Sequence, residues 1–158
     1  MSICRLEQWP KLLAAFIVSR RAMPFEWGKN DCGLFAADAI LAMTGVDLAA
    51  EIRGTYSTEA EANAALANSQ EARSQGAPLA DGYSLLAAFA ASAAKAHGMK
   101  EGPVLFGQRG DLCLYPHLEL GDTLVIVGME GHQVLGPGAN GLASYDRAKC
   151  SRCWRVPF

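Results

Sequence analysis

The sequence predicts an α+β fold, and the order of its segments carries this prediction. Segments in which apolar residues recur at helical spacing occupy the chain up to residue 97, and short apolar runs separated by Gly, Asp, Asn and Pro occupy it after about residue 103. Helices first and strands second is the order expected of an α+β protein. The 158 residues, 51% of them hydrophobic, show no internal repeat and no long linker, which predicts a single domain over 1–158.

The first two helices are predicted from their apolar spacing and their end signals. The segment LEQWPKLLAAFIVSRR has a helical apolar face, and Pro10 fits this helix only in its first turn. The second helix begins near Asn30 or Asp31, which are both good N-caps, and runs to Thr44. Gly45 stands where a glycine commonly ends a helix.

Two further helices and a sheet complete the predicted fold. STEAEANAALANS (57–69) has the pattern of a capping-box helix, QEARSQGAPLADG (70–82) is a loop, and YSLLAAFAASAAKAH (83–97) is an alanine-rich helix that ends at Gly98. The predicted strands of an antiparallel sheet are PVLFG, DLCLY, TLVIVG, HQVLG, GLASY and CWRV.

Charge and apolar runs exclude several classes of protein. The formal charge of −2 and the absence of a long Lys/Arg run argue against nucleic-acid binding. The longest strongly apolar run, LLAAFIV, is far shorter than the roughly 20 residues that span a bilayer. The N-terminus lacks the layout of a signal peptide, so we expect synthesis as a cytosolic protein with no membrane span.

The five cysteines predict free thiols rather than a disulfide framework, because their number is odd and the chain has no secretion signal. The CSRC segment, Cys150 to Cys153, supplies only two of the four ligands that a zinc site needs. It also precedes a short terminal strand rather than the helix of a redox motif. We expect ordinary cysteines at a strand edge, no metal and no cofactor, with a metal or redox module as an alternative.

One group of motifs resembles a known enzyme family. WG-x-x-DCGLF on a helix, followed by RGDLCLY and TLVIVG, resembles the papain-like NlpC-type cysteine peptidases. The longer pattern F-x-WG-x-x-DC-x-LF-x-AD, together with RGTY at 53–56 and the terminal WRV, is similar to a variant found in tail regions of phages and prophages. The resemblance spans about 25–158 and implies that the cysteine helix packs on a C-terminal antiparallel sheet.

The resemblance implies a nucleophile but does not supply its base. Cys32 matches the cysteine that attacks amide bonds of peptidoglycan peptides, and a helix N-terminus favours its thiolate. On the family pattern Asp122 stands where the histidine belongs, and Leu135 lies near the third, polar position. His117, five residues before the expected place, is the remaining candidate base; His132 and His97 are weaker candidates.

Other motif residues have both a functional and a structural interpretation. Trp27 and Asp31 are candidates for substrate binding beside Cys32, although a tryptophan next to a helix start is also typical of core packing. Arg53 and Tyr56 of RGTY contact a ligand or lie in an exposed turn.

Two functions therefore compete. The first is a structural phage tail tip or baseplate component that has lost the catalytic base, is assembled in the host cytoplasm and is carried in the virion. Its partners are other tail tip proteins. The second is an active peptidoglycan endopeptidase that opens the cell wall during DNA entry. The missing histidine favours the first, and the intact cysteine helix favours the second.

Overall fold

The computed structural model describes residues 2–69 and 84–158 and confirms the α+β class. Within these residues four helices precede a six-stranded antiparallel sheet. The helices are α1 (Trp9–Arg20), α2 (Cys32–Thr44), α3 (Glu59–Asn68) and α4 (Leu85–Ala96). The strands are β1 (Lys100–Gly102), β2 (Leu112–His117), β3 (Gly121–Val127), β4 (Gln133–Gly138), β5 (Gly141–Asp146) and β6 (Arg152–Arg155). The loop predicted at 70–82 and the first residue of the predicted 83–97 helix lie outside the described residues.

The end signals of α2 act as predicted. The Asp31 side chain accepts a hydrogen bond from the Leu34 backbone N–H at 2.9 Å, which satisfies one of the free donors of the first turn. Gly45 ends the helix in the left-handed conformation, with φ of 78°. Pro10 lies in the first turn of α1, where its missing N–H costs no helical hydrogen bond.

One predicted strand is wrong. PVLFG forms a 3₁₀ turn over Val104–Phe106, and the strand at this edge of the sheet is the preceding β1. Pro103 has no N–H to add to a ladder, and the side chains of Leu105 and Phe106 are exposed rather than buried. β1 consists of two charged residues and a glycine, and it forms a strand because it pairs with β6. The local sequence gives no signal for this pairing.

The sheet has strand order β1-β6-β2-β3-β4-β5, with the helices on one face. Strand alternation divides its buried side chains into two sets. The helix-side set includes Leu112, Leu114, Leu124, Ile126, Leu135 and Trp154, and the outer set includes Cys113, Val125, Val127, Val134, Cys150 and Cys153. The inward face of α2 packs on the helix-side set, as the sequence predicts.

The ladder between β3 and β4 is short, so the first part of β3 is not paired with β4. The site described below lies at this unpaired part. Only two pairs join these strands, Ile126 with Leu135 and Val127 with Val134. The Val127 N–H donates to the Asp111 carbonyl oxygen, on the side of β2. Because backbone groups alternate in direction along a strand, the N–H of Leu124 points to the other side, towards β4. At Leu124 no β4 residue takes that N–H in the ladder.

Candidate active site around Cys32

The Cys32 thiol lies at the gap between β3 and β4. Cys32 is the first residue of α2, and its sulfur lies at the backbone N–H groups of Leu124 and Gly33. The helix start and the unpaired part of β3 thus place N–H donors around one thiol.

Burial nevertheless decides the protonation state of this thiol. Desolvation raises the pKa of Cys32 from 9.0 to about 11, and the nearby Asp31 carboxylate adds to the increase. The N–H groups of Leu124 and Gly33 act in the opposite direction but do not outweigh burial. The sequence predicts a helix terminus that favours the thiolate; in the folded protein the sulfur is a neutral thiol at pH 7.

In the part of the chain that the structure describes, His117 makes no hydrogen bond to Cys32. His117 ends β2 on the face of Cys113 and Tyr115, which is the outer face of the sheet and not the face that packs on α2. Its ring makes edge-to-face contacts with Tyr115 and Tyr145, at centroid distances of 6.3 and 5.7 Å. Its Nδ1 accepts from the backbone N–H groups of Glu119 and Leu120. This position does not support the predicted role of His117 as the base.

The two positions at which the resemblance expects polar partners lie on the helix side of the sheet. Asp122 shares the strand face of Leu124 and Ile126, and Leu135 is buried in the core that α2 helps to form. The Asp122 side chain makes no hydrogen bond with the residues that the structure describes. The family positions thus carry a carboxylate and an alkyl group, and neither is an imidazole.

The other two histidines lie at a turn and at a helix end, and among the described residues the buried Nδ1 of His97 has no hydrogen-bond partner. His132 is an exposed residue in the turn between β3 and β4, with Nε2 3.8 Å from the Glu130 carboxylate. His97 is the C-cap of α4 and its carbonyl accepts from the Ile3 N–H. Across residues 2–69 and 84–158, no imidazole is hydrogen-bonded to Cys32.

Asp31 is a buried structural residue. One carboxylate oxygen caps α2, and the other accepts from the Gly28 N–H at 3.0 Å and from the Tyr56 hydroxyl at 2.6 Å. The side chain is thereby committed to three protein donors and is only 2% exposed. This geometry favours a structural role for Asp31 over the predicted contact with substrate.

Trp27 packs against the small core cluster that joins α2, α3 and α4, and it meets Phe25 edge-to-face at 4.9 Å. These contacts agree with the packing interpretation, and its predicted substrate contact stays a prediction. The glycine that follows is required by shape: a Cβ on Gly28 would lie 2.2 Å from the Tyr56 carbonyl oxygen.

Sequence reasoning missed an ion network that gives Arg53 its role. Asp38 accepts from Arg20 and Arg53, each at 2.6 Å, and Arg53 also pairs with Asp47 at 2.8 Å. RGTY lies in a turn whose Gly54 and Thr55 are exposed, while Arg53 and the buried Tyr56 direct their side chains to partners within the protein. The sequence held a signal for this network, because Asp38 is the single charged residue of the apolar helix α2 and a half-buried charge needs a cation.

Cys150 and Cys153 join Cys113 in the outer cluster of the sheet. Among the residues the structure describes, no group of three or more His, Cys, Asp or Glu side chains is arranged to hold a metal ion. In the same part of the chain, no helix is both long and apolar enough to cross a membrane. Two surface clefts, of about 360 and 380 Å³, are lined by residues other than Cys32 and Trp27.

These features define an α+β protein in which a cysteine at the start of a helix packs against an antiparallel sheet and, among the described residues, has no histidine hydrogen-bonded to it. The chain belongs to the family described as a domain of unknown function (DUF6950), whose family model matches residues 4–156. No curated protein and no solved structure shows significant similarity to the chain.

Proposed function

We propose that the protein is a non-hydrolytic, structural component of a phage tail tip or baseplate, built on an NlpC-type papain-like scaffold. The motif resemblance around Cys32 supports the scaffold and the tail assignment. The observation that carries the non-hydrolytic part is a neutral, half-buried Cys32 thiol with no imidazole bonded to it among the described residues.

Chemistry explains why this arrangement disfavours hydrolysis. A cysteine peptidase needs a thiolate to attack the amide and a proton donor for the leaving amine. With a pKa of about 11, only about one Cys32 in 10⁴ carries the thiolate at pH 7. Loss of the acid–base partner removes a further factor of about 10²–10⁴ in rate. The two effects together predict hydrolysis near background.

Several motif residues also have a structural role that does not depend on hydrolysis. Asp31 ties the helix start to Gly28 and Tyr56, and Arg53 ties α2 to the segment after it. A chain that keeps the scaffold for assembly needs these contacts whether or not the thiol reacts. These contacts support a scaffold role, and the motif resemblance alone supports other tail tip proteins as partners and the virion as location, after assembly in the host cytoplasm.

An active peptidoglycan endopeptidase is the second candidate. Its support is the position of Cys32 at a helix start with the Leu124 and Gly33 N–H groups directed at its sulfur, an arrangement suited to stabilising an anion. In this case Cys32 is the nucleophile, and His117 must leave the outer face of the sheet to act as base.

Release of muropeptides distinguishes the two candidates. Purified protein is incubated with peptidoglycan beside the Cys32→Ala and His117→Ala variants, with a known endopeptidase as positive control. We expect equal, background-level traces for all three proteins. Release by the unaltered protein that disappears in both variants would overturn the structural proposal and make Cys32 and His117 a working pair.

The assembly part of the proposal is tested on purified phage particles. We expect the protein at a fixed ratio to the other tail proteins through successive density gradients, and in the tail fraction after heads and tails are separated. A protein that stays in the lysate as a free monomer, while particles lacking it have complete tails, would contradict the structural role.

A further inference from the structure

Three cysteine side chains meet on the outer face of the sheet, far along the chain from Cys32. Cys113 lies in β2, Cys153 in β6, and Cys150 at the end of the 3₁₀ turn before β6. Their exposed fractions are 0%, 3% and 8%, so Cys150 is the most accessible of the three.

The sheet register brings two of these sulfurs face to face. Cys113 and Cys153 are direct partners in the β2–β6 ladder. The Val127 N–H donates to the Asp111 carbonyl oxygen, so the backbone of Asp111 faces β3. Cys113 lies two residues further along the strand, so its backbone groups also face β3 and not β6. Cys113 and Cys153 therefore form a non-hydrogen-bonded pair, the position at which cross-strand side chains approach most closely.

Contacts with Cys113 bring the third sulfur into the same place. The three cysteine side chains pack in one buried cluster, in which the Cys113 thiol interacts with both Cys150 and Cys153. Gly107 covers the cluster, and a Cβ at that position would lie 3.0 Å from the Cys153 sulfur. Three thiols at hydrogen-bond separation need only small movements to form a disulfide.

Cys150 has the properties of an attacking thiol. The hydrogen bond from Cys113 lowers the pKa of Cys150, and the Arg147 guanidinium acts in the same direction. Arg147 is held in place by the carbonyl oxygens of Gly107, Gly131 and Leu105. The same hydrogen bonds and burial raise the pKa of Cys113, so this thiol attacks only after a base has taken its proton.

We propose that Cys150 and Cys113 form a thiol–disulfide exchange site for small-molecule disulfides of the glutathione class. The Cys150 thiolate attacks one sulfur of the disulfide, forms a mixed disulfide and releases one thiolate. Cys113 then loses its proton to the released thiolate and attacks the Cys150 sulfur, which forms the Cys113–Cys150 disulfide and releases the second small thiolate. Two protein thiols are oxidised, one small disulfide is reduced to two thiols, and all protons remain on the products or the buffer.

This site is independent of Cys32 and of the proposed function. Its disulfide would link β2 to the segment before β6 and close a loop of roughly 40 residues, which restricts the unfolded chain. Oxidation is therefore expected to raise the midpoint of chemical unfolding, and reduction to return it to the starting value.

The test uses the full chain equilibrated with glutathione at graded ratios of oxidised to reduced form, then quenched with acid and alkylated. We expect a product lighter by two hydrogen atoms, whose peptide map joins Cys113 to Cys150, and an earlier glutathione adduct at Cys150 in a time course. Exposed Cys4 serves as an internal control for glutathione reactivity. The Cys113→Ala variant should stop at the Cys150 adduct, and Cys153→Ala should still form the bridge.

Two results would overturn the proposal. One is full alkylation of Cys113 and Cys150 after unfolding at every glutathione ratio, while Cys4 takes up glutathione. The other is a bridge between Cys113 and Cys153 that forms at an unchanged rate in Cys150→Ser. The time course of the unaltered protein needs no variant, so a variant that fails to fold does not prevent the test.

Discussion

At the Cys32 sulfur, burial and hydrogen bonding act in opposite directions on the same proton. Backbone N–H groups favour the thiolate, but the sheet behind the sulfur excludes the water that would stabilise it further. Since desolvation prevails, Cys32 is a neutral thiol at pH 7, and its reactivity should depend on pH in a predictable way.

Alkylation of Cys32 by iodoacetamide should rise steeply with pH up to about 11, because the pKa of this thiol is raised to that value. At pH 7 the thiolate population is about 100-fold below that of an ordinary cysteine. The rate is measured by mass spectrometry of the Cys32 peptide, with exposed Cys4 as the reference. A plateau already reached at pH 8 would contradict the raised pKa.

The same shift predicts a loss of stability in alkali. An unfolded Cys32 releases its proton near pH 9.0, whereas the folded thiol keeps it to about pH 11, so the free energy of unfolding falls between these values. Because other groups also titrate there, the comparison is with Cys32→Ala, which should lose less stability than the unaltered protein over this pH range. Parallel curves would contradict the assignment.

Tyr56→Phe should reduce the free energy of unfolding by about 1–2 kcal/mol, because it removes a buried hydrogen bond to a carboxylate. The Tyr56 hydroxyl donates to Asp31 at 2.6 Å. Urea unfolding measures the change, with Tyr115→Phe on the outer sheet face as the matched control. A loss no greater than that of the control would show that the bond contributes little.

Single residues also show what the sequence could and could not predict. Alternation along DLCLYPH places His117 with Cys113 and Tyr115, opposite Leu112, so the strand face that it occupies could have been anticipated. The raised pKa of Cys32 could not, because it depends on how closely β3 approaches the helix. The roles of Asp31 and Tyr56 depend likewise on a partner 25 residues away.

At the scale of elements, the start of α2 depends on one turn with strict steric limits. Gly28 has φ of 80°, and an added Cβ would meet the Tyr56 carbonyl oxygen. Gly45, at the other end of α2, has φ of 78° but open space around it. Substitution of Gly45 therefore tests the free-energy cost of the left-handed backbone alone. Substitution of Gly28 adds the cost of a steric clash.

Gly45→Ala should destabilise the protein by about 1 kcal/mol, the cost of a left-handed conformation for a residue with a Cβ. Gly28→Ala should cost about 1–3 kcal/mol more, because the chain must also move away from the Tyr56 carbonyl. Unfolding by urea measures both variants. Equal losses in the free energy of unfolding would mean that the turn before α2 can move away from the Tyr56 carbonyl without a measurable cost.

The ion network is the second feature at this scale, since it fixes α2 to α1 and to the segment that follows α2. Asp38→Asn should lower stability by about 1–2 kcal/mol, because it leaves two partly buried arginines without their shared carboxylate. The effect should shrink in 1 M salt. Glu26→Gln, in the exposed pair with Lys29, is the control and should change nothing measurable; an equal loss in both variants would contradict the network.

Elements with local signals were predictable, and those defined by distant pairing were not. Asp31, Gly45 and Pro10 mark helix ends by their own backbone chemistry, and the structure confirms them. β1 has no apolar pattern and exists because β6 pairs with it, whereas the apolar run beside it forms a turn. The antiparallel sheet was predictable from strand spacing, but its order was not.

At the scale of the whole molecule, one buried ion pair joins three distant parts of the chain. Arg5 bonds to Asp111 at 2.8 Å and to the carbonyl of Val156 at 3.0 Å, and both charged side chains are 1% exposed. Asp111 also accepts from the Val156 N–H. The segment before α1, the start of β2 and the segment after β6 therefore meet at one place.

Arg5→Met should cost about 3–5 kcal/mol, because it leaves the Asp111 carboxylate buried without its closest cation. Adding Asp111→Asn should recover part of this loss, since the uncharged amide keeps an oxygen for the Val156 N–H. The three proteins are compared by urea unfolding. A double variant no more stable than Arg5→Met would show that the buried charge is not the cause.

The two outer strands of the sheet bear on how the protein behaves when it is crowded with copies of itself. β1 is only three residues long and carries exposed Lys100 and Glu101, while at the other side the Leu142 N–H of β5 donates to the Arg21 carbonyl. Short, charged or occupied edges resist the edge-to-edge pairing by which sheets polymerise. We therefore expect the folded protein to resist fibril formation through its sheet edges at high concentration.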